Sequence, residues 1–302
     1  MKTAAATAIL SAGLLAGPMA QGYVPHRVFD TAARQFTDFE AMAAALSRAD
    51  VIFVGEQHDD PNTHRLEAAL LQAIGARRDR VILSLEMFER DVQGDLDRFL
   101  AGDLGEADFL AEARPWPRYH TDYKALVDFA RERQWPVVAA NVPRPVASEV
   151  AKEGVAVLDT KPEAERAWFA ADRDCPTGDD EYFRRFSEVM GGHAGVDVMQ
   201  RYYDSQCLKD ETMAEAIVGA WRTAAGVPGP TRPLVVHYNG AFHSDFGLGT
   251  ALRVRRRLPD QQIAVITMVP LDDIAALDAV APEGDDLRRA RFLVYTVKTA
   301  KP

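Results

Sequence analysis

Short continuous apolar runs alternate along the chain with stretches whose apolar residues recur every three or four positions. The runs are Val51-Ile52-Phe53-Val54, Val81-Ile82-Leu83-Ser84-Leu85, Val137-Val138-Ala139-Ala140, Leu234-Val235-Val236, Ile263 to Met268 and Phe292 to Val297. Each has the length of a strand, and the scarcity of polar positions predicts burial on both faces. Phe39, Met42 and Leu46 follow a capping-box spacing from Thr37 to Glu40. Leu66, Ala69, Leu70, Ala73 and Ile74 share one helical face behind Asn62, a candidate cap. Tyr123, Leu126, Val127 and Ala130 mark another helix. Buried strands separated by amphipathic helices predict an α/β fold, a three-layer α/β/α arrangement with a mostly parallel central sheet. The short-linked final strands are the candidates for an antiparallel pair.

Residues 161–222 break this rhythm. They carry no strand signal, and Tyr182, Phe183, Phe186, Met190, Met199, Tyr202, Tyr203 and Met213 instead predict a helical insertion over the sheet. Most of these side chains are expected to form its packing face. Residues 1–20 also stand apart. Lys2, an apolar stretch from Ala4 to Leu15 and the small residues Ala16, Gly17 and Ala20 read as a secretory signal peptide, too short for a comfortable membrane span. Pro18 sits poorly with cleavage after Ala20, so an uncleaved anchor is the alternative. With no cysteine nearby, no lipid anchor is expected, and the expectation is an exported, periplasmic, soluble protein. Residues 21–302 are then read as a single domain.

Composition narrows the function classes. The 302 residues carry 45 acidic against 35 basic side chains, a net charge of −10, which argues against a nucleic-acid partner. The dense basic spot Arg253, Arg255, Arg256 and Arg257 reads as the solvated end of a helix. The two cysteines, Cys175 and Cys207, could pair in an oxidising compartment, which would stabilise the fold by roughly 3–4 kcal/mol. Two separate thiols are the other reading. No Cys-x-x-Cys, no Gly-x-Ser-x-Gly elbow and no phosphate-cradling glycine loop is present.

The informative chemistry follows the strands. Glu56 and His58 come after the first run, Glu86 and Arg90 after the second, Asn141 and Arg144 after the third, His237 and His243 after the fourth. In an open parallel sheet the C-terminal strand ends share one edge, where ligands bind. Taken singly, each residue is more simply a cap or a hydrogen-bonded structural group. Together they predict a cleft lined by Arg90, Asn141 and Arg144 around a His/Glu set. His58, Glu86, His237 and His243 form an N/O donor set suited to a divalent transition metal, or to acid–base work with Glu56. Gly240 is expected to help the chain turn so that both His237 and His243 face the cleft.

Several segments carry a family likeness. Gly55-Glu56-Gln57-His58-Asp59, Leu85 to Arg90, Ala140-Asn141-Val142-Pro143-Arg144, Gln206 to Ala214 and His237 to His243 resemble the ChaN-like haem-binding proteins. The likeness spans roughly Phe36 to Met268, and it extends to Tiki proteases and erythromycin esterases. It implies an exported bacterial protein that binds haem for iron or haem acquisition and can form a homodimer around it. On that reading a tyrosine or histidine ligates the iron, with His193, Tyr202 and Tyr203 as the candidates in the helical insertion. The alternative implied by the likeness is a metal-dependent or His/Glu hydrolase using Glu56, His58, Glu86, His237 and His243 as catalytic residues.

Overall fold

The structure is a computed structural model that describes residues 23–171, 180–191 and 195–299. The chain opens with β1 (His26–Asp30), β2 (Gln35–Thr37), α1 (Phe39–Leu46), β3 (Val51–Glu56), α2 (Pro61–Gly75) and β4 (Val81–Glu89). Then come α3 (Gln93–Ala101), α4 (Glu106–Ala113), α5 (Tyr119–Asp122), α6 (Lys124–Glu132), β5 (Val137–Asn141) and α7 (Arg144–Glu153). The remainder is α8 (Glu181–Val189), α9 (Val196–Ala225), β6 (Leu234–Gly240), α10 (Gly249–Arg257), β7 (Ile263–Leu271), α11 (Ile274–Ala279), α12 (Asp286–Arg289) and β8 (Phe292–Val297).

Among the described residues, eight strands form one sheet in the order β2-β1-β8-β7-β3-β6-β4-β5. Six are parallel, from β8 across to β5. Every residue of β3 is buried, since β6 and β7 flank it and helices cover both faces. Alternation operates inside the continuous apolar runs. Ile52, Val54, Leu83, Leu85, Val236 and Tyr238 face a core shared with α1, α2, α3, α4 and α6. Val51, Phe53, Ile82 and Val235 face a second core with α9 and α10. Each such buried side chain contributes roughly 1.5–3 kcal/mol against its exposed state. The expected three-layer α/β fold is therefore present.

Several local expectations change. The last two strands are parallel, with Ile266 beside Phe292 and Leu271 beside Val297. The connection of residues 272–291 carries two short helices, which is long enough for a crossover. The antiparallel edge is the N-terminal hairpin β1–β2, joined to β8. Asp38 caps α1 through a hydrogen bond from the Ala41 N–H. Asp60 rather than Asn62 caps α2, because Pro61 occupies the first helical position, where no N–H is needed. Asn62 instead donates to the Val297 carbonyl.

The basic cluster of α10 divides. Arg255 and Arg256 are exposed, as expected of a helix end, but Arg253 is buried with its Nε 2.6 Å from Glu211 Oε1. Arg257 reaches the other oxygen of the same carboxylate at 2.5 Å. The 30-residue helix α9 lies across the sheet, and Ala214, Ile217 and Val218 in its C-terminal part join the second core. Cys207, on the same helix, is disulfide-bonded. Cys175, His193 and the leader segment lie outside the described residues. Among the described residues no helix is long and apolar enough to cross a membrane.

Candidate functional site

The strand order creates a crevice. After β3 the chain lays down β4 and β5 on one side, yet β6 later inserts between β3 and β4, while β7 and β8 add on the other side. Helices therefore leave the C-terminal edge in different directions around β3 and β6, the usual place for a ligand in such sheets. A cleft of about 740 Å³ opens there. Its walls include Glu56, His58, Glu86, Asn141, Arg144, Gly240 and His243, with Trp116, Phe186, Val189, Met190 and Phe242 as apolar surface.

Two histidine–carboxylate sets occupy this edge. The first belongs to the α9–α10 side. His243 is buried, with its Nδ1 2.7 Å from Asp210 Oδ1 and its Nε2 3.4 Å from Glu86 Oε1. Asp210 also accepts hydrogen bonds from the hydroxyls of Tyr182 (2.6 Å) and Thr250 (2.8 Å), and Glu86 accepts one from the Gly240 N–H at 2.7 Å. Burial works against a charged His243, but Glu86 and Asp210 outweigh it and push the imidazole up to about 10. Burial likewise opposes the charge on Glu86, and His243, His58 and the Gly240 N–H overcome it, holding the carboxyl well below the usual range. At neutral pH this set is a charged hydrogen-bond donor between two carboxylates, not a free base.

Gly249, which opens α10, makes this packing feasible. Its φ is +52° and a side chain there would stand 2.6 Å from the His243 carbonyl oxygen.

The second set lies under β3, on the side of α2, α5 and α6. Glu56 ends β3, and its Oε1 accepts from Tyr123 at 2.9 Å and meets His58 Nδ1 at 2.5 Å. His64 and Glu67, one helical turn apart on α2, meet through Nδ1 and Oε2 at 2.9 Å. Glu56 Oε2 stands 3.6 Å from the same His64 nitrogen. His64 Nε2 faces the His58 carbonyl at 3.2 Å and Asp122 at 3.5 Å. Burial lowers His64, but Glu67, Glu56 and Asp122 raise it further, to about 9.

His58 links the two sets. Its ring is half-exposed, stands edge-on to Trp116 at 5.0 Å, and lies over Gly240. A Cβ on residue 240 would be 2.7 Å from His58 Nε2 and 3.7 Å from Glu86 Oε2. Gly240 has an ordinary φ of −54°, so the glycine supplies space for His58 rather than an unusual turn.

The cleft thus gathers Glu56, His58, Glu86, Asn141, Arg144 and His243, as the strand-end pattern predicts. His237 does not join them. It lies within β6 and is fully buried against Phe53, its Nδ1 2.8 Å from Ser84 Oγ. Burial outweighs the pull of Glu86 and drives it down to about 3, so it stays neutral. The four-residue metal set that included His237 is therefore not assembled: β6 runs past residue 236 to Gly240, which carries His237 back into the sheet. Arg90 is also elsewhere. It pins the end of β4 to α9 through Glu215 (2.7 Å) and the Thr212 carbonyl (2.5 Å).

Of the haem candidates, Tyr203 is buried among Tyr182, Phe186 and Met199, while Tyr202 is 38% exposed. The groups that pattern reading missed are Asp210, Gln206 and Lys209 on α9, and His64, Glu67, Asp122 and Tyr123 beneath β3. The first three fall inside the Gln206 to Ala214 segment that carries the family likeness. The His64-x-x-Glu67 spacing on the apolar face of α2 was the available signal for the others.

The chain matches the family described as haem-binding uptake, Tiki superfamily, ChaN, over residues 42–254. It belongs to the ChaN family. A solved ChaN of Campylobacter jejuni, a structure of cofacial haem binding, is 15% identical and superposes with a TM-score of 0.64 over 90% of this chain and 96% of that one. The erythromycin esterase EreC is 13% identical over 91% of this chain and 83% of that one, with a TM-score of 0.45. A succinoglycan biosynthesis protein is 9% identical over 85% and 91% of the two chains, with a TM-score of 0.48. No curated protein matches. ChaN-family membership thus rests on the sequence match, and the Campylobacter structure supports the fold.

Proposed function

We propose that this protein binds haem, on the tip where α8 and α9 meet the cleft, as an exported component of iron or haem acquisition. The observation that carries this reading, beside the family, is a concentration of exposed apolar side chains. Val189 (73% exposed), Met190 (44%), Val196 (83%) and Tyr202 (38%) all fall in or beside these two helices. Val189 and Met190 also line the cleft with Phe186 and Phe242. Apolar surface of this kind marks a binding site, and a porphyrin is a flat apolar ligand with anionic propionates. Arg144 and Lys209 line the same cleft and enter no ion pair among the described residues, so they fit those carboxylates. When bound, haem would supply an iron centre whose behaviour is set by its axial ligand.

The residues present favour one tyrosine over the other. A phenolate must form to ligate ferric iron. Burial and the nearby Asp180 push the Tyr203 phenol well above its ordinary value, and packing leaves it no approach. Tyr202 is the half-exposed phenol, which makes it our candidate ligand, with His193 as the other. A homodimer around haem would cover the same apolar tip.

A hydrolase on the strand-end rim is less favoured. His237 is outside the cleft, and the Ser84–His237 pair is sealed inside the sheet. His243 is held as a cation between Glu86 and Asp210. A hemin titration tests the proposal: a saturable Soret shift is expected, with affinity at least tenfold weaker in Tyr202→Phe and nearly unchanged in Tyr203→Phe. No saturable spectral change in the wild-type protein overturns it.

A further inference from the structure

We propose that Glu56, His64 and Glu67 form a site for one divalent first-row transition cation beneath the floor of the cleft. The three residues are fully enclosed, and one ligand atom from each lies within 4.8 Å of the others. Such a spacing is close to that of protein ligands around an ion held at about 2.0–2.2 Å.

The hydrogen bonding of the set leaves two buried carboxylate oxygens for a cation to meet. Among the described residues, Glu56 Oε2 and Glu67 Oε1 are buried oxygens without a hydrogen-bond partner, although Glu56 Oε1 has two and Glu67 Oε2 has one. Buried carboxylate oxygens without donors are costly, so an electropositive ligand is the natural complement. The orientation of His64 points the same way. Its Nε2 faces the His58 carbonyl oxygen at 3.2 Å, which can only accept, so that nitrogen carries the proton. Its Nδ1 points at Glu67 Oε2 and Glu56 Oε2; it donates to Glu67 when the ring is charged, and a cation binding there takes the place of that proton. An imidazole nitrogen and two carboxylates converging on one point become the donor set of a metal site once that proton is released.

The surroundings supply the support such a site needs. Asp122 stands 3.5 Å from His64 Nε2, on the edge of the ring away from the proposed ion. A carboxylate behind a ligating histidine orients the ring and raises its basicity. Arg118 is 2.9 Å from that Asp122 oxygen and holds the carboxylate in place. Tyr123 fixes the other oxygen of Glu56. Access is through Glu56 and His58, which border the cleft directly above. One imidazole and two carboxylates favour zinc, manganese or iron in the divalent state over the softer thiolate-seeking ions. The site is separate from the Glu86–His243–Asp210 set on the opposite face of the sheet, and it does not depend on haem binding.

The test is equilibrium dialysis of the intact protein against Zn²⁺ or Mn²⁺, followed by elemental analysis and thermal melting. We expect close to one equivalent per chain and a melting temperature that rises with the metal and falls with chelator. His243→Gln should keep the equivalent, whereas His64→Gln and Glu67→Gln should lose at least four-fifths of it. Circular dichroism reports whether those variants fold. If either does not, Glu67→Asp, which keeps the charge but shortens the arm, should bind at least tenfold more weakly. A folded wild-type protein with no bound metal, or metal lost in His243→Gln and retained in Glu67→Gln, overturns the proposal.

Discussion

The two histidine–carboxylate sets are built from the same parts and behave differently. On the α9–α10 side, His243 sits between Glu86 and Asp210, and tyrosine, threonine and backbone donors saturate both carboxylates. On the α2 side, His64 faces Glu56 and Glu67, and one oxygen of each carboxylate has no donor among the described residues. The first set satisfies itself, which makes it a rigid, charged wall of the cleft. The second is incomplete, which makes it a receptor. Hydrogen-bond saturation, rather than residue type, separates a structural polar network from a binding site.

The saturated set gives the sharpest way to break this contrast. Asp210→Ala should cost about 3–5 kcal/mol in urea unfolding, because it strips a buried partner from His243 and leaves the Tyr182 and Thr250 hydroxyls unpaired. A cost below about 1 kcal/mol would show that the network is not what holds α9 to α10.

Titration comes next in size. His243 is raised from 6.5 to about 10, so its stabilising contribution is fully present below pH 6.5 and is lost as pH rises toward 10. The slope approaches about 1.4 kcal/mol per pH unit in that window. His243→Gln should flatten it, and unchanged alkaline stability of the wild type speaks against the ion pairs. His237 has the opposite sign. It is lowered from 6.5 to about 3, so the unfolded chain takes up a proton that the folded one refuses, and stability falls as pH drops below 6.5.

The smallest effect concerns the link between the sets. Gly240→Ala should push the His58 ring off its seat at a cost of about 1 kcal/mol, since the obstructing atoms are the far end of a half-exposed side chain. The imidazole proton resonances of His58 should shift while those of His237 stay in place. Equal shifts in both would refute the separation of cleft and sheet interior.

Much of the fold was legible because its signal is local. A strand buried on both faces must be apolar throughout, and six such runs were visible with ends correct to within a few residues, Phe292–Val297 included. The edge hairpin of β1 and β2 was not, because short, half-exposed strands leave no continuous run. Within the site, Glu56, Glu86 and His243 followed from strand ends alone. His237 was misplaced because a run of apolar residues marks the minimum extent of a strand, and β6 continues through His237-Tyr238-Asn239-Gly240. Arg253 was misjudged for a related reason, since a buried partner on α9, Glu211, is 42 positions away.

The sequence by itself determined the alternation of strands and helices, and with it the edge of the sheet where the chemistry collects. Strand burial and helical amphipathicity are read within a dozen residues, and burial of apolar surface enforces them. Only the tertiary structure decided which face each group serves. It sent His243 to Asp210 across 33 positions and Tyr123 to Glu56 across 67. It also left two carboxylate oxygens without donors, because saturation depends on contacts between distant segments that no local pattern encodes.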